Sequence, residues 1–203
     1  MSSYSLMERM RVPLSKTFGL ILLVIILFSA SRWDNIPLAG DLFFLIGCVF
    51  AGIGSLGRLW CALYISGYKN NTLVTHGPYS ILRNPLYFFS VIGGIGVGLA
   101  TKILLLPFFI FIIFLIYYPG IIKNEEGRLS DIHGEEFRRY RDKTPSFIPK
   151  LSLFIEPREY IIRPKIFRKN IIRAIWFIWS LGIIKTIEAF HETGLLPIYF
   201  KIY

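Results

Sequence analysis

The sequence has few charged residues and little cysteine. Only 18% of its 203 residues are charged, whereas 54% are hydrophobic, and an ordinary soluble domain carries about 25% charged residues. The two cysteines, Cys48 and Cys61, stand in or at the end of one apolar segment and indicate neither a disulfide framework nor a zinc site. The shortage of charge, with a mean hydropathy of +0.54, therefore indicates an integral membrane protein, and we expect no metal site.

Apolar segments of membrane-helix length divide the chain. They are residues 16–31, 42–64, the long stretch 86–122 and residues 171–190. The long stretch exceeds one span of about 20 residues and predicts a helical hairpin that turns at residues 100–102. We expect an all-α integral membrane protein of about five transmembrane helices, with the hairpin as spans 3 and 4. Small residues spaced three or four apart in the second span predict close helix packing, and they are Gly47, Ala51, Gly54 and Gly57.

Acidic residues are also scarce, at 13 against 23 Lys and Arg, which gives a net charge of +10. Nineteen of the basic residues fall on one side of the predicted spans. The positive-inside rule then puts the N-terminus, the loop after span 2 and the segment after span 4 in the cytoplasm. The membrane topology and the attraction of the basic residues to anionic lipid headgroups account for the net positive charge, so we expect no nucleic-acid partner.

Two polar stretches meet on that face. The first is THGPYSILRNPLY, residues 75–87, and the second is residues 123–150. Glu125 and Glu126 are expected where the fourth span leaves the membrane, at a helix end whose dipole disfavours carboxylates. That placement predicts a ligand role, and a solvated surface helix is the alternative. Pro145 and Pro149 are expected to end the helix that follows.

Several short motifs follow one another between residues 73 and 149. They are a Gly-Pro-Tyr loop, Arg-x-Pro-x-Tyr, an apolar hairpin, Glu-Glu-x-x-Leu, Gly-Glu-Glu-Phe-x-x-Tyr and a Pro. This order resembles the isoprenylcysteine carboxyl methyltransferase family, whose relatives include the membrane phospholipid N-methyltransferases. Members are helical membrane enzymes that pass the methyl group of S-adenosylmethionine to a lipidic acceptor from the bilayer. The resemblance implies that activity and a cofactor pocket on the cytoplasmic face.

The resemblance also implies roles for the matching residues. The cofactor would be held by His76, Gly77, Pro78, Tyr79, Arg83, Pro85, Tyr87, Glu125, Glu126, Leu129, Glu135 and Tyr140. The catalytic residues would be Arg83, Asn84 and Glu126. An arginine can orient a carboxylate acceptor through two hydrogen bonds, and a glutamate can take the proton of an amine acceptor.

Asn84 stands where the carboxyl methyltransferase pattern has His, and Asn-Pro-x-Tyr is closer to the phospholipid N-methyltransferases. Asparagine cannot ionise, so a role that needs a titrating imidazole is lost. The leading expectation is methyl transfer to a carboxylate or similar acid group of a lipid. The alternatives are a phospholipid N-methyltransferase and a non-catalytic membrane protein that keeps the fold.

Three regions are expected along the chain. Residues 1–72 hold spans 1 and 2, residues 73–150 form the catalytic region, and residues 151–203 hold an interfacial segment and a fifth span. The last region matches neither branch of the family. Its prolines and the basic run 165–169 favour membrane anchoring, with lining of the acceptor's access route as the alternative.

Overall fold

The structure is a computed structural model that describes residue 17, residues 19–68 and residues 72–202, most of them helical. In chain order the elements are α1 Gly19–Phe28, β1 Ser29–Ser31, a 3-10 turn Arg32–Asn35, α2 Pro37–Ile65, α3 Pro78–Ile81, α4 Pro85–Ala100, α5 Leu105–Lys143, a second 3-10 turn Leu151–Leu153, α6 Pro164–Glu192 and β2 Phe200–Ile202. The basic residues Arg9, Arg11, Lys16 and Lys69 lie outside the described residues.

Three of the described helices are long and apolar enough to cross a membrane. They are Leu38–Ile65, Leu105–Lys143 and Pro164–Glu192. The helices Gly19–Phe28 and Pro85–Ala100 are apolar but shorter. A 16-residue helix such as α4 is about 24 Å long, less than the roughly 30 Å of a bilayer core. The structure thus supports three of the five expected spans as full-length helices.

The all-α expectation omitted one small feature. Strands β1 and β2 pair in parallel, with Ser29 opposite Phe200 and Ser31 opposite Ile202. The apolar run expected as a span over residues 16–31 therefore stops being helical at Phe28. Beyond the end of this helix, the Ser31 hydroxyl donates to the Lys102 carbonyl oxygen at 2.7 Å.

Helices α2 and α4 form the most tightly packed pair. A Cβ built on Gly47 would stand 2.7 Å from the Gly96 carbonyl oxygen, and one on Gly54 would stand 2.6 Å from the Gly93 amide nitrogen. Only glycine lets the two backbones approach this closely, which confirms the packing role predicted for the small-residue stripe. Helix α6 packs on this pair, and α5 packs on α4.

The hairpin turns where the sequence predicts, because α4 ends at Ala100 and α5 begins at Leu105. Lys102 takes a left-handed φ of 62° in this turn, and its ammonium group binds Asp34 at 3.0 Å and Glu188. Burial lowers the pKa of Lys102, but the bonds to Glu188 and Asp34 outweigh it and the net shift is upward. We call this end of the bundle the far end.

The helix of the fourth span does not end near Ile122, where a helix C-terminus was expected. Helix α5 continues through Glu125 and Glu126 to Lys143, and its one non-helical residue is Gly134, with φ 54° and ψ −120°. No proline or glycine lies between Ile122 and Glu126, so nothing local stops the helix. The two glutamates therefore sit inside a helix, and the argument from a helix C-terminus was wrong for them. The stop before Pro145 is confirmed.

The long helices alternate in direction, so both polar stretches come to the end opposite Lys102, which we call the site end. It holds the end of α2, the loop with α3, the start of α4, the end of α5 and the start of α6. The basic run 165–169 lies in the first turns of α6 and is not a separate segment before it.

Candidate active site

The Gly-Pro-Tyr motif forms a tight turn. Gly77 has φ 58° and ψ −130°, and the Tyr79 amide donates to the His76 carbonyl oxygen at 3.2 Å. These values fit a type II′ turn with glycine at its second position. A Cβ on Gly77 would also collide with the ring of Tyr64. Glycine is therefore required at position 77 both for the backbone conformation and because the Tyr64 ring leaves no room for a side chain.

Arg83 joins three parts of the site end. Its Nε donates to Glu126 Oε1 at 2.9 Å, and its Nη2 lies 3.5 Å from Glu126 Oε2. Its Nη1 donates to the carbonyl oxygens of Arg141 and Thr144 at 2.6 and 3.1 Å. A guanidinium has five N–H donors, and this arrangement engages most of them. Arg83 therefore fixes Glu126 and caps the end of α5.

Asn84 and Tyr87 complete the contacts to the two glutamates. The Asn84 amide donates to Glu126 Oε1 at 3.1 Å, and the Tyr87 hydroxyl donates to Glu125 Oε2 at 2.7 Å. Glu125 Oε1 also lies 3.7 Å from the guanidinium of Arg128, one turn along α5. Asparagine at position 84 thus supplies a neutral donor to the carboxylate.

An aromatic cluster lies beside Tyr87, between α4, α5 and the segment after α5. The ring of Tyr118 meets Tyr87 edge to face at 5.0 Å, and Phe114 lies 4.2 Å from Tyr118 and 5.3 Å from Phe147. Tyr87 and Phe114 are buried. This cluster gives the site a water-poor wall with several ring faces.

Tyr79 has a buried hydroxyl for which the described residues provide no hydrogen-bond partner. Burial, and then the charge of nearby groups that include Glu125, raises its pKa well above 10.0. The hydroxyl therefore stays protonated at neutral pH. The Tyr140 hydroxyl donates to the Tyr79 carbonyl oxygen at 2.7 Å, which ties the last turns of α5 to the Gly77 turn.

The structure brings together most of the residues implied by the resemblance, but not all. Pro78 and Pro85 are fully buried and shape the loop, and Leu129 is half-buried on α5. His76 is exposed. Glu135 is exposed and pairs with Arg138 and Arg139 on its own helix. The implied cofactor roles of His76 and Glu135 therefore gain no support from their placement.

Sequence reasoning missed the segment of residues 154–163, which we call the strap. The Gly77 amide donates to the Ile155 carbonyl oxygen at 2.8 Å, and the Ile155 amide donates to the Ser80 hydroxyl at 3.0 Å. The Tyr64 hydroxyl donates to Glu156 Oε1 at 2.8 Å. The strap thus covers the Gly77 turn, and no periodicity or motif in the sequence signals these contacts.

A cavity of 450 Å³ lies at the far end and not at this site, and its lining includes Asp34, Lys102 and Glu188. Among residues 19–68 and 72–202, no group of three or more His, Cys, Asp or Glu side chains is placed to hold a metal ion.

Comparison with known proteins identifies the family. The sequence pattern of the family described as Phospholipid methyltransferase matches residues 37–136. The cobalt-zinc-cadmium resistance protein CzcN of Cupriavidus metallidurans is 35% identical over 190 residues, which are 94% of this chain and 87% of that protein. The chain belongs to the phospholipid methyltransferase family.

A second relative has a similar extent. The nickel-cobalt-cadmium resistance protein NccN of Alcaligenes xylosoxydans xylosoxydans is 33% identical over 193 residues, 95% of this chain and 90% of that protein. No solved structure matches the chain significantly. The matched methyltransferase domain runs from the start of α2 to just past the Gly134 break, so the strap lies outside it.

Proposed function

We propose that this chain is an integral membrane methyltransferase that uses S-adenosylmethionine to methylate a lipidic acceptor. The observation that carries the proposal is the convergence of the two polar stretches on one pair of glutamates. Arg83 and Asn84 reach Glu126 across 43 and 42 positions of sequence, and Tyr87 reaches Glu125 across 38. The motifs that match a methyltransferase family thus form one site.

The residues present suit S-adenosylmethionine. Carboxylates such as Glu125 can accept hydrogen bonds from hydroxyl or ammonium groups. The buried Tyr79 hydroxyl offers a donor for which the described residues have no acceptor, and a bound polar ligand would supply one. When bound, S-adenosylmethionine supplies an electrophilic methyl group on a sulfonium. The faces of Tyr87 and Tyr118 can attract such a cation, by about 1–2 kcal/mol where water is excluded.

The contacts of Arg83 favour an amine acceptor over an acid acceptor. Its donors go largely to Glu126 and to two backbone carbonyl oxygens, which leaves little of the guanidinium to orient an acceptor's carboxylate. Among the described residues, Glu126 Oε2 has only the 3.5 Å contact to Arg83, and it can take the proton that an ammonium headgroup must lose before its nitrogen is methylated. The proposed acceptor is therefore a lipid amine at the membrane surface.

A transfer assay tests this proposal. Purified protein is incubated with S-adenosylmethionine labelled in its methyl group and with vesicles that contain an amine-bearing phospholipid. We expect base-stable label in the lipid headgroup, and base-labile volatile label would indicate an ester and an acid acceptor instead. Glu126→Gln should abolish transfer, whereas Arg139→Ala should not, because the Arg139 side chain is 82% exposed and pairs only with Glu135 among the described residues. If the wild type neither binds the cofactor nor transfers label, the proposal fails.

The relatives are named for resistance to cobalt, zinc, cadmium and nickel. We propose that methylation by this chain serves such resistance by altering membrane lipid. In cells that lack the gene, wild-type protein should restore growth on cadmium and Glu126→Gln should not. Equal rescue by both proteins would separate resistance from methyl transfer.

A further inference from the structure

The strap is fixed to the Gly77 turn through the amide and the carbonyl group of one residue, Ile155. The Ile155 carbonyl oxygen accepts from the Gly77 amide, and the Ile155 amide donates to Ser80. The Ser80 hydroxyl in turn donates to the Gly77 carbonyl oxygen at 2.7 Å. The turn that carries the family motif is therefore held in its shape by a segment outside the matched domain.

The next residue of the strap is an acid beside the same turn. Glu156 Oε1 accepts from the Tyr64 hydroxyl, and the Tyr64 ring occupies the space where a side chain at Gly77 would go. The Tyr160 hydroxyl donates to the Tyr64 carbonyl oxygen at 2.8 Å, and the two rings lie 4.8 Å apart. Tyr64 and Tyr160 thus hold the Glu156 carboxylate at a defined place, while the residue itself remains exposed to solvent.

The two sides of the turn differ in polarity. Toward α4 and α5 lies the aromatic cluster with Tyr87, where water is scarce. Toward the strap the surface is open and carries Glu156. A methyl group is transferred best where water is excluded, so the reacting end of the cofactor belongs beside the cluster. The charged amino-acid end of the cofactor would then lie on the open side, which carries Glu156.

We infer that Glu156 is a third acidic group of the cofactor site and binds the ammonium group of the amino-acid part of S-adenosylmethionine. The inference rests on the proposed function. A carboxylate forms a stronger, charge-assisted hydrogen bond with an ammonium group than with a neutral hydroxyl. Tyr64 is the positioning residue, because its hydroxyl bond fixes the carboxylate.

Ligand truncation tests the inference by calorimetry on purified full-length protein. S-adenosylhomocysteine carries the ammonium group, and methylthioadenosine lacks the whole amino-acid part. Glu156→Gln keeps an oxygen for Tyr64 but loses the charge. It should weaken S-adenosylhomocysteine binding about tenfold and leave methylthioadenosine binding unchanged. Tyr64→Phe should give the same pattern with a smaller effect.

Glu159→Gln is the matched control, because it removes an exposed strap carboxylate and should change neither affinity. If Glu156→Gln weakens both ligands equally, or neither, the inference is overturned while the proposed function stands. If wild-type protein binds neither ligand, the proposed function itself fails. Thermal unfolding of each variant in detergent checks the fold, and Tyr64→Phe decides the matter if Glu156→Gln does not fold.

Discussion

At the residue scale, Tyr79 carries a hydroxyl that is buried without a partner among the described residues. Burying an unsatisfied hydroxyl costs about 1–3 kcal/mol, and that cost has a reason if a ligand supplies the missing acceptor. Tyr87 differs, because its hydroxyl already donates to Glu125 at 2.7 Å. Removing the hydroxyl of Tyr79, in α3, and that of Tyr87, in α4, is therefore expected to have opposite effects.

Tyr79→Phe should leave the free energy of unfolding unchanged or raise it by up to about 1 kcal/mol, and should weaken S-adenosylhomocysteine binding about fivefold. Tyr87→Phe should lower the free energy of unfolding by about 1 kcal/mol, since it removes a formed hydrogen bond. Thermal unfolding and calorimetry measure both quantities. Burial raises the pKa of Tyr79 well above 10.0. Ionisation of its hydroxyl should therefore not change the affinity for S-adenosylhomocysteine at any pH below 10.0. A stability loss in Tyr79→Phe with unchanged affinity would contradict the ligand role.

The residue at position 84, next to Arg83, changes the chemistry of the motif. Asn84 donates to Glu126 Oε1 beside the Nε of Arg83, so one carboxylate oxygen accepts from a neutral amide and from a guanidinium. An imidazole at position 84 would bring a group that changes charge between pH 5 and 8. Asparagine at this position is a donor that stays neutral across that range.

At the element scale, the contact of α2 with α4 depends on residues that have no side chain. A Cβ at Gly54 would stand 2.6 Å from the Gly93 amide nitrogen, whereas one at Gly52, two residues away on the same helix, would meet nothing within 4 Å. The two positions share a helix and differ in their surroundings, so they form a matched pair for substitution.

Gly54→Ala should lower the thermal stability in detergent, because one of two packed backbones must move, and overpacking of this kind costs about 1–3 kcal/mol. Gly52→Ala should be neutral or raise stability by about 0.5–1 kcal/mol, because alanine favours helix. Unfolding of the two purified variants, followed by circular dichroism, measures the difference. Equal effects would mean that α2 and α4 do not approach as closely as the structure shows.

At the scale of the whole molecule, the alternating helices give the bundle two chemically different ends. Lys143 is exposed at the site end, and Leu195 is exposed just beyond α6 at the far end. The positive-inside rule predicts that the site end faces the cytoplasm, since most basic residues gather there. Thr101, in the hairpin turn, is buried and is a poor position for labelling.

A cysteine at Leu195 should react with an impermeant maleimide on intact cells, and a cysteine at Lys143 should react only after permeabilisation. The background is Cys48→Ser, because Cys61 is fully buried and Cys48 is partly exposed. Labelling of Lys143→Cys from outside would reverse the topology and move the site to the outer face. Labelling of both from one side would contradict the alternation of the helices.

The elements whose causes are local can be predicted from the amino-acid sequence. Continuous apolar runs predicted α2, α5 and α6 as membrane-length helices, residues 100–102 predicted the hairpin turn, and Pro145 predicted the end of α5. These features depend on neighbouring residues, so hydropathy, length and helix-breaking residues are enough to find them. The family motifs were found in the same way, and with them most of the residues at the site.

The contacts that those residues make depend on how the helices pack. The donors of Arg83 are shared between Glu126 and the end of α5, His76 is left exposed, and the strap is bound to the Gly77 turn. Glu156 meets Tyr64 across 92 positions of sequence. Such contacts follow from the packing of α2, α4 and α6, which brings distant segments to one end of the bundle. No local pattern records which donors meet which acceptors there, because the pairing exists only after the helices have packed.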